Sequence, residues 1–441
     1  MEQRRKNLTQ LFIPICLETL LYMLSGMVDT LMLSSVNDQA VGAVGTANTY
    51  IGIFIIMFSV ISSGMVAVMT QNIGAGRPGV AYQARQLGLA FNAVLGIILS
   101  LILAFGAGTI LAGVGVADAL MQPARTYLQI VGGFCILNAL IPICSSYLRA
   151  FGFSKEPLYA SIIGNVINFC LNAFFLFVLH KGVAGVATAT VVSRIINLVI
   201  VVLLGAVLVK AKKHPERESN REVMGQIIRI GLPSACETAI YNVSMTLVIR
   251  FLNQMDAQGL NVTARSYTMQ ITNFSYCVGA ALAQANAIMT GWRIGAKEYD
   301  ACDRGTRKAA VIGVIVAVIL ETMFALCSGW IMQLFSKDPQ MVSLVGKLLA
   351  IDIVLEMGRV TNLVYGQALK TSGDAVFPVV MGACFMILCS VGGTYLFGIR
   401  LGLLAVGAYI GMASDECVRA IGMYLRWKSG KWKQKGLVKS R

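Results

Sequence analysis

Charge is scarce in this chain. Asp, Glu, Lys and Arg make up 13% of its 441 residues, about half the share usual in a soluble protein. Histidine is nearly absent, with only His180 and His214, so a His/Cys metal centre has almost nothing to be built from. The eleven cysteines stand singly, with no CxxC pair, and Cys16, Cys144, Cys170, Cys327 and Cys389 lie inside apolar runs. They read as small buried hydrophobes. No GxxxxGK[ST] phosphate loop is present, since "GAGRPG" (Gly74–Gly79) lacks the Lys-Ser/Thr pair. ATP hydrolysis is therefore not expected of this chain. Without a Ser/His/Asp set or an HExxH sequence, it does not read as an enzyme.

Apolar residues, by contrast, reach 56% and are gathered in runs at 87–117, 158–179, 183–209 and 309–335. Each run holds roughly 20 or more largely apolar positions, enough to cross a hydrocarbon core of about 30 Å. Barrel strands need only about 10 residues and alternate in polarity. The fold class is an all-α, multi-pass membrane protein. The first apolar stretch lacks a small-residue cleavage site and carries Glu18 and Asp29, so it reads as a retained helix rather than a signal peptide.

Twelve spans are expected near 9–34, 45–72, 86–113, 124–148, 157–180, 183–209, 226–252, 262–291, 305–334, 340–369, 375–397 and 401–426. One set of connecting segments holds Arg4, Arg5, Lys6, Arg77, Arg85, Arg149, Lys155, Lys210, Lys212, Lys213, Arg217, Arg221, Arg293, Lys297, Arg304, Arg307, Lys308 and Lys370, followed by the basic tail; the alternate loops hold little beyond Lys181, Lys337 and Arg400. The positive-inside rule then places both termini in the cytoplasm. The net charge of +15 is thus explained without a nucleic-acid partner. The tail "RWKSGKWKQKGLVKSR" reads either as a segment resting on anionic lipid through Lys and interfacial Trp or as a solvated extension.

The chain also repeats itself. "PICLETLLYMLS" (Pro14–Ser25) faces "PSACETAIYNVS" (Pro233–Ser244) at a constant offset of 219, matching Pro, Glu, Thr, Tyr and Ser. "MTQNIGAG" (Met69–Gly76) faces "MTGWRIGA" (Met289–Ala296), and "LRAFGFSKEP" (Leu148–Pro157) faces "LKTSGDAVFP" (Leu369–Pro378) at offset 221. Steady offsets over three stretches imply two six-helix lobes of one topology around a central cleft, an arrangement typical of secondary transporters. The expected domains are 1–209, a cytoplasmic linker 210–225, 226–427 and a tail 428–441.

A gradient-driven transporter needs an ion-binding group at membrane depth. In the first span Glu18, Tyr22, Ser25 and Asp29 fall at i, i+4, i+7 and i+11. At roughly 100° per residue they form one polar stripe about 16 Å long, expected to face the bundle interior. The repeat keeps Glu237, Tyr241 and Ser244 but has Val248 in place of Asp29. Glu18 therefore reads as a shared structural feature, and Asp29 as the asymmetric ion-coupling candidate. In the fifth span Asn165, Asn168 and Asn172 share a face, and Thr188 and Thr190 enter from outside in the sixth. Carboxylate, amide and hydroxyl oxygens at one level suit a small hard cation or a tuned proton site, with interhelical hydrogen bonding as the plainer reading. Asp352, Glu356 and Arg359 with Asn362 in the tenth span, Asp415, Glu416 and Arg419 in the twelfth, and Arg194 in the sixth form either neutralised pairs or a second charged site.

These motifs, in this order, resemble the multidrug and toxic compound extrusion (MATE) family, in its bacterial branch. The resemblance rests on "VDTLML" in the first span, "MTQNIGAGR" after the second, "LRAFG-x4-P", "N-x3-N", "GVAGVATAT", "E-x2-R-x2-N" and "DE-x2-R" leading to "RWKSGKW". It implies that Asp29, Asn168 and Thr190 match the family's cation-linked positions. Asn172 stands where some members carry a second aspartate, and Glu237 comes earlier in its span than their acidic residue. The resemblance further implies an antiporter that exports small amphipathic, often cationic compounds in exchange for H+ or Na+. Na+ would sit at Asp29, Asn168, Asn172 and Thr190. No other cofactor is expected, and the chain is read as a monomer. The alternatives are a lipid or lipid-linked flippase on the same fold and, from another class, a sensor or channel.

Overall fold

The computed structural model describes residues 6–35, 38–113, 116, 118–210, 215–256, 259–333 and 335–438. Arg4, Arg5, Lys212, Lys213, His214 and the last three residues, on which parts of the orientation, linker and tail arguments rest, lie outside them.

Among the described residues all regular structure is helical. The first lobe carries α1 (Leu8–Ser34), α2 (Asp38–Gly74), α3 (Pro78–Gly113) and α4, which runs Asp118–Tyr127, widens into a π-helical turn Leu128–Gly132 and resumes over Ile136–Ala150. It continues with α5 (Lys155–Ala173, then the π turn Phe174–Val178) and α6 (Gly182–Leu208). Next come α7 (Asn220–Met255), α8 (Leu260–Gly295), α9 (Tyr299–Leu326) and α10 (Pro339–Thr371). Two helices close the chain: α11, which starts at Val376–Phe385 and continues through π turns Met386–Val391 and Thr394–Arg400, and α12 (Leu404–Lys428). Each expected span has its helix.

Local chemistry sets several boundaries. Asp338 caps α10 by accepting from Gln340 N at 3.0 Å, with Pro339 in the first turn, where a missing N–H costs nothing. Pro14 lies inside α1 and cannot donate back to Gln10. The freed Gln10 carbonyl instead accepts from Ser154 Oγ at 3.0 Å, as an apolar medium demands. Asp256 precedes α8 and accepts from Leu260 N at 2.8 Å and from Asn261 N at 3.1 Å. Burial pushes its carboxyl up, but these hydrogen bonds outweigh that and hold it below the ordinary value of 3.8.

Contacts divide the chain into Met1–Gly231 and Leu232–Arg441. This division falls inside α7, later than the expected break at 225. The reason is that the segment entering α7 is tied to the first lobe. Gln83 Nε2 donates to Glu218 O at 2.7 Å and to Asn220 Oδ1 at 2.6 Å, and Arg77 pairs with Glu218 at 2.6 Å. The described part of the expected linker is thus anchored.

The first lobe's core gathers Leu33, Ala47, Phe58, Leu103, Tyr127 and Leu176. The second lobe is organised around α10, which packs against α8, α9 and α12. Its core includes Val248, Leu252, Leu348, Leu355 and Tyr409. The tryptophans of the tail are not placed as the interfacial reading expects. Trp427 and Trp432 stack at 4.1 Å and are 1% exposed each, and Trp432 Nε1 donates to Trp427 O at 2.9 Å. The rings pack onto the protein, so they are not available as interfacial anchors.

Candidate ion-coupling site and charged networks

In the first lobe α1 and α5 pack together and bring the expected acid and amides into contact. Asn172 Nδ2 donates to Asp29 Oδ1 at 2.6 Å and to Asn168 Oδ1 at 3.2 Å. Asn168 and Asn172 are buried, Asp29 partly so. Asn172 Oδ1 is buried without a hydrogen-bond partner among the described residues. Thr190 is buried, and its hydroxyl donates to Val186 O of its own helix at 2.9 Å, leaving its lone pairs as the only contribution it can make. Asn165 donates to Leu21 O at 3.4 Å. Arg194 is close enough to act electrostatically on Asp29 and on Tyr127. Arg194 therefore belongs with Asp29. No group of three or more His, Cys, Asp or Glu with metal-site geometry occurs among the described residues.

The polar stripe of α1 splits. Glu18 accepts from Arg149 Nη2 at 2.6 Å. Tyr22 is 68% exposed, while lying close enough to the buried Tyr127 to act on it. Four residues past Glu18 is about 40° around the helix, which puts its ring at the edge of the stripe. In the repeat Glu237 pairs with Lys370 Nζ at 2.6 Å, with the charges close but without hydrogen-bond alignment. Tyr241 is half-buried and Ser244 buried. At the repeat offsets of 221 and 219, Lys370 corresponds to Arg149 and Glu237 to Glu18, so the two ion pairs occupy equivalent positions. Each ties the first helix of its repeat to the end of the fourth. Arg149 and Lys370 enter the sequence argument only as inside-loop charges; their place in the repeat, opposite the two glutamates, is the signal that finds them.

The second lobe holds an extended network. Arg359 pairs with Glu356 and lies 3.5 Å from Glu416. Arg419 grips Asp415 with two hydrogen bonds at 2.9 and 3.0 Å and reaches Glu416 at 2.9 Å. Asn362 donates to Glu416 at 3.1 Å and Ser390 to Asp415 at 3.0 Å. Gly358 makes this possible: a Cβ there would stand 2.8 Å from the α12 backbone at Glu416 and Cys417, so α10 and α12 touch closely enough for Arg359 to reach across. Asp352 is 2% exposed and one of its oxygens has no hydrogen-bond partner among the described residues. Glu321 of α9, missed in the sequence, is fully buried facing Ser275, with no well-aligned hydrogen bond to either oxygen among the described residues. As an acid inside the apolar run of the ninth span, it meets the same criterion that singled out Asp29. Among the described residues, five buried carboxylates (Glu321, Asp352, Glu356, Asp415, Glu416) thus share this lobe with the guanidiniums of Arg359 and Arg419 and with a third buried arginine, Arg265, which acts on Tyr409 together with Asp352.

The duplication has an outside counterpart. The MatE family model matches residues 14–174 and again 233–396, two segments that begin 219 residues apart, at the paired prolines. The chain belongs to the MatE family. It is 34% identical over 431 residues, covering 96% of this chain and 94% of the other, to the "Uncharacterized transporter YisQ" of Bacillus subtilis. It is 23% identical to the "Probable multidrug resistance protein NorM" of Thermotoga maritima, covering 98% and 94%. A solved structure, the outward-facing conformation of a multidrug resistance MATE family transporter, shares the fold at TM-score 0.88 and 18% identity, covering 98% and 96% of the two chains. The twelve helices are therefore those of a two-lobe MATE membrane transporter of the bacterial branch, related to multidrug efflux proteins.

Proposed function

We propose that this MatE-family protein exports small amphipathic, cationic compounds by alternating access, driven by inward movement of H+ or Na+ bound at Asp29. The observation that carries the reading is the contact of Asp29 with Asn172, itself bonded to Asn168. A carboxylate in a membrane helix is costly to keep ionised, and here its nearest partner is a neutral amide, which leaves room for it to gain and lose a cation. As oriented, Asn172 donates its NH2 to Asp29 Oδ1 and to Asn168 Oδ1, which favours the ionised carboxylate, the form that can take up a cation. Rotating the amide would present Oδ1 and complete an oxygen set for Na+ with Asn168 and Thr190, as hard cations require. The surplus of buried acids over Arg in the second lobe supports cationic cargo over the phosphates of a lipid-linked substrate. The basic segments support cytoplasmic termini in the bacterial inner membrane, and a monomer suffices for this cycle.

The test is transport in proteoliposomes with a pH or Na+ gradient imposed separately, wild type against Asp29→Asn. Export driven by one of the gradients in wild type and lost in Asp29→Asn is the expected result. Undiminished gradient-driven export by the variant would remove Asp29 from coupling.

A further inference from the structure

The tail does not rest on the membrane through its tryptophans; it folds back to build a cavity. Gly430, at φ +70°, turns the chain after α12 into a short 3-10 helix, Lys431–Gln434. Gly373 receives the returning strand of chain: a Cβ there would stand 2.3 Å from Lys435 O. The stacked Trp427 and Trp432 hold the fold, and Trp427 Nε1 donates to Asp303 Oδ1 at 2.9 Å, joining the tail to the first turns of α9. Between them lies a cavity of about 100 Å³ lined by Asp303, Arg307, Tyr424, Lys428, Trp432 and Lys433.

The charge of this cavity is lopsided. Asp303 is its single acid, and it is already engaged by Arg307 and by the Trp427 indole. Arg307 keeps 60% of its side chain exposed and a guanidinium with donors to spare. Lys428 has no ion pair among the described residues, and Lys433 lies over the Trp432 ring at 5.9 Å. Three cations thus line a cavity whose one carboxylate is used. Its volume is far below the roughly 300 Å³ where drug-sized sites begin, which points to a single compact anion. It lies at the start of α9 and the end of α12, and the ends of membrane helices are where headgroups are met. Cationic side chains on Trp-bearing interfaces attract anionic headgroups.

We infer that the cavity formed by the folded tail and α9 binds the phosphate group of an anionic membrane lipid. Tyr424 and the Arg307 guanidinium would donate to its oxygens, and Lys428 and Lys433 would balance its charge. The site shares no residue with the Asp29 cluster.

The experiment measures lipid retained by the purified full-length protein, by native mass spectrometry, after exchange into micelles carrying equal phosphatidylglycerol and phosphatidylcholine. Wild type is expected to retain phosphatidylglycerol preferentially. The Arg307→Gln, Lys428→Gln, Lys433→Gln triple variant is expected to lose at least tenfold of that preference. A control with the same charge loss elsewhere, Lys155→Gln, Lys210→Gln, Arg221→Gln, is expected to keep it. Inorganic phosphate at millimolar concentration is expected not to displace the lipid. Equal preference in wild type and the triple variant, equal loss in the control, or displacement by inorganic phosphate would each overturn the assignment. Folding of the variants is read from the same spectra and from their thermal unfolding. Gly373→Ala, which crowds the tail while keeping every charge, provides a second variant expected to lose the preference.

Discussion

The two lobes share a topology and differ in polarity. All six helices of the first repeat are long and apolar enough to cross a membrane, α4 counting as one span through its 43° bend. Of the second repeat only α9 and α11 meet that measure; α7, α8, α10 and α12 carry too much polarity. One ion pair is common to both, joining Glu18 to Arg149 and Glu237 to Lys370. Beyond it the lobes diverge: the first has a lone acid among amides, and the second a buried chain of carboxylates and guanidiniums. The difference shows which parts a duplicated bundle keeps. The tie between its first and fourth helices is needed in either copy, because an apolar medium leaves that carboxylate no other partner. Residues that handle ions are free to differ.

Five single substitutions and one exchange probe this contrast, beginning with the largest expected effect. Arg419→Met strips Asp415 and Glu416 of their shared partner and should destabilise the second lobe by about 3–5 kcal/mol, the usual cost of orphaning a buried ion pair, read as a fall in thermal unfolding temperature in detergent. Exchanging Asp415 and Arg419 should recover part of that loss if pairing alone matters. Val248→Asp places an acid at the repeat position of Asp29, which is fully buried beside apolar neighbours. It should cost about 3 kcal/mol and fail to restore export to Asp29→Asn. Restored export would mean that the lobes are interchangeable as ion sites.

Glu18→Gln and Glu237→Gln test the shared tie. Each should lower stability by about 1–2 kcal/mol, by similar amounts and additively, since the pairs lie in separate units. A large effect on transport from one alone would break the equivalence. The smallest effect is expected at Asp256, in the second repeat's first connecting loop. Its carboxyl is held low in the folded state, so its stabilisation is present above the ordinary value of 3.8 and fades as pH falls through the lower folded value. Asp256→Asn should therefore weaken the protein slightly at neutral pH, by less than about 1 kcal/mol, and leave stability unchanged at the acid end.

Much of this molecule is written locally. Run length and the 219-residue offset are enough for twelve helices in two like lobes, because a membrane leaves the backbone no alternative to helix. The i, i+4, i+7 spacing on α5 puts Asn165, Asn168 and Asn172 on one face, and the lone carboxylate of the outer half of α1 stands out by its cost. Partner identity is another matter. Arg149 is 131 residues from Glu18, Asp374 is 52 from Arg426, and Asp303 is 124 from Trp427; no periodicity links such pairs. The exposure of Tyr22, the anchoring of the segment before α7, the burial of Glu321 and the folding back of the tail were decided by which helix packs beside which. Covalent neighbours determine whether a segment is a helix and which way it faces, while a charge inside a membrane protein takes its role from whatever the finished packing places next to it.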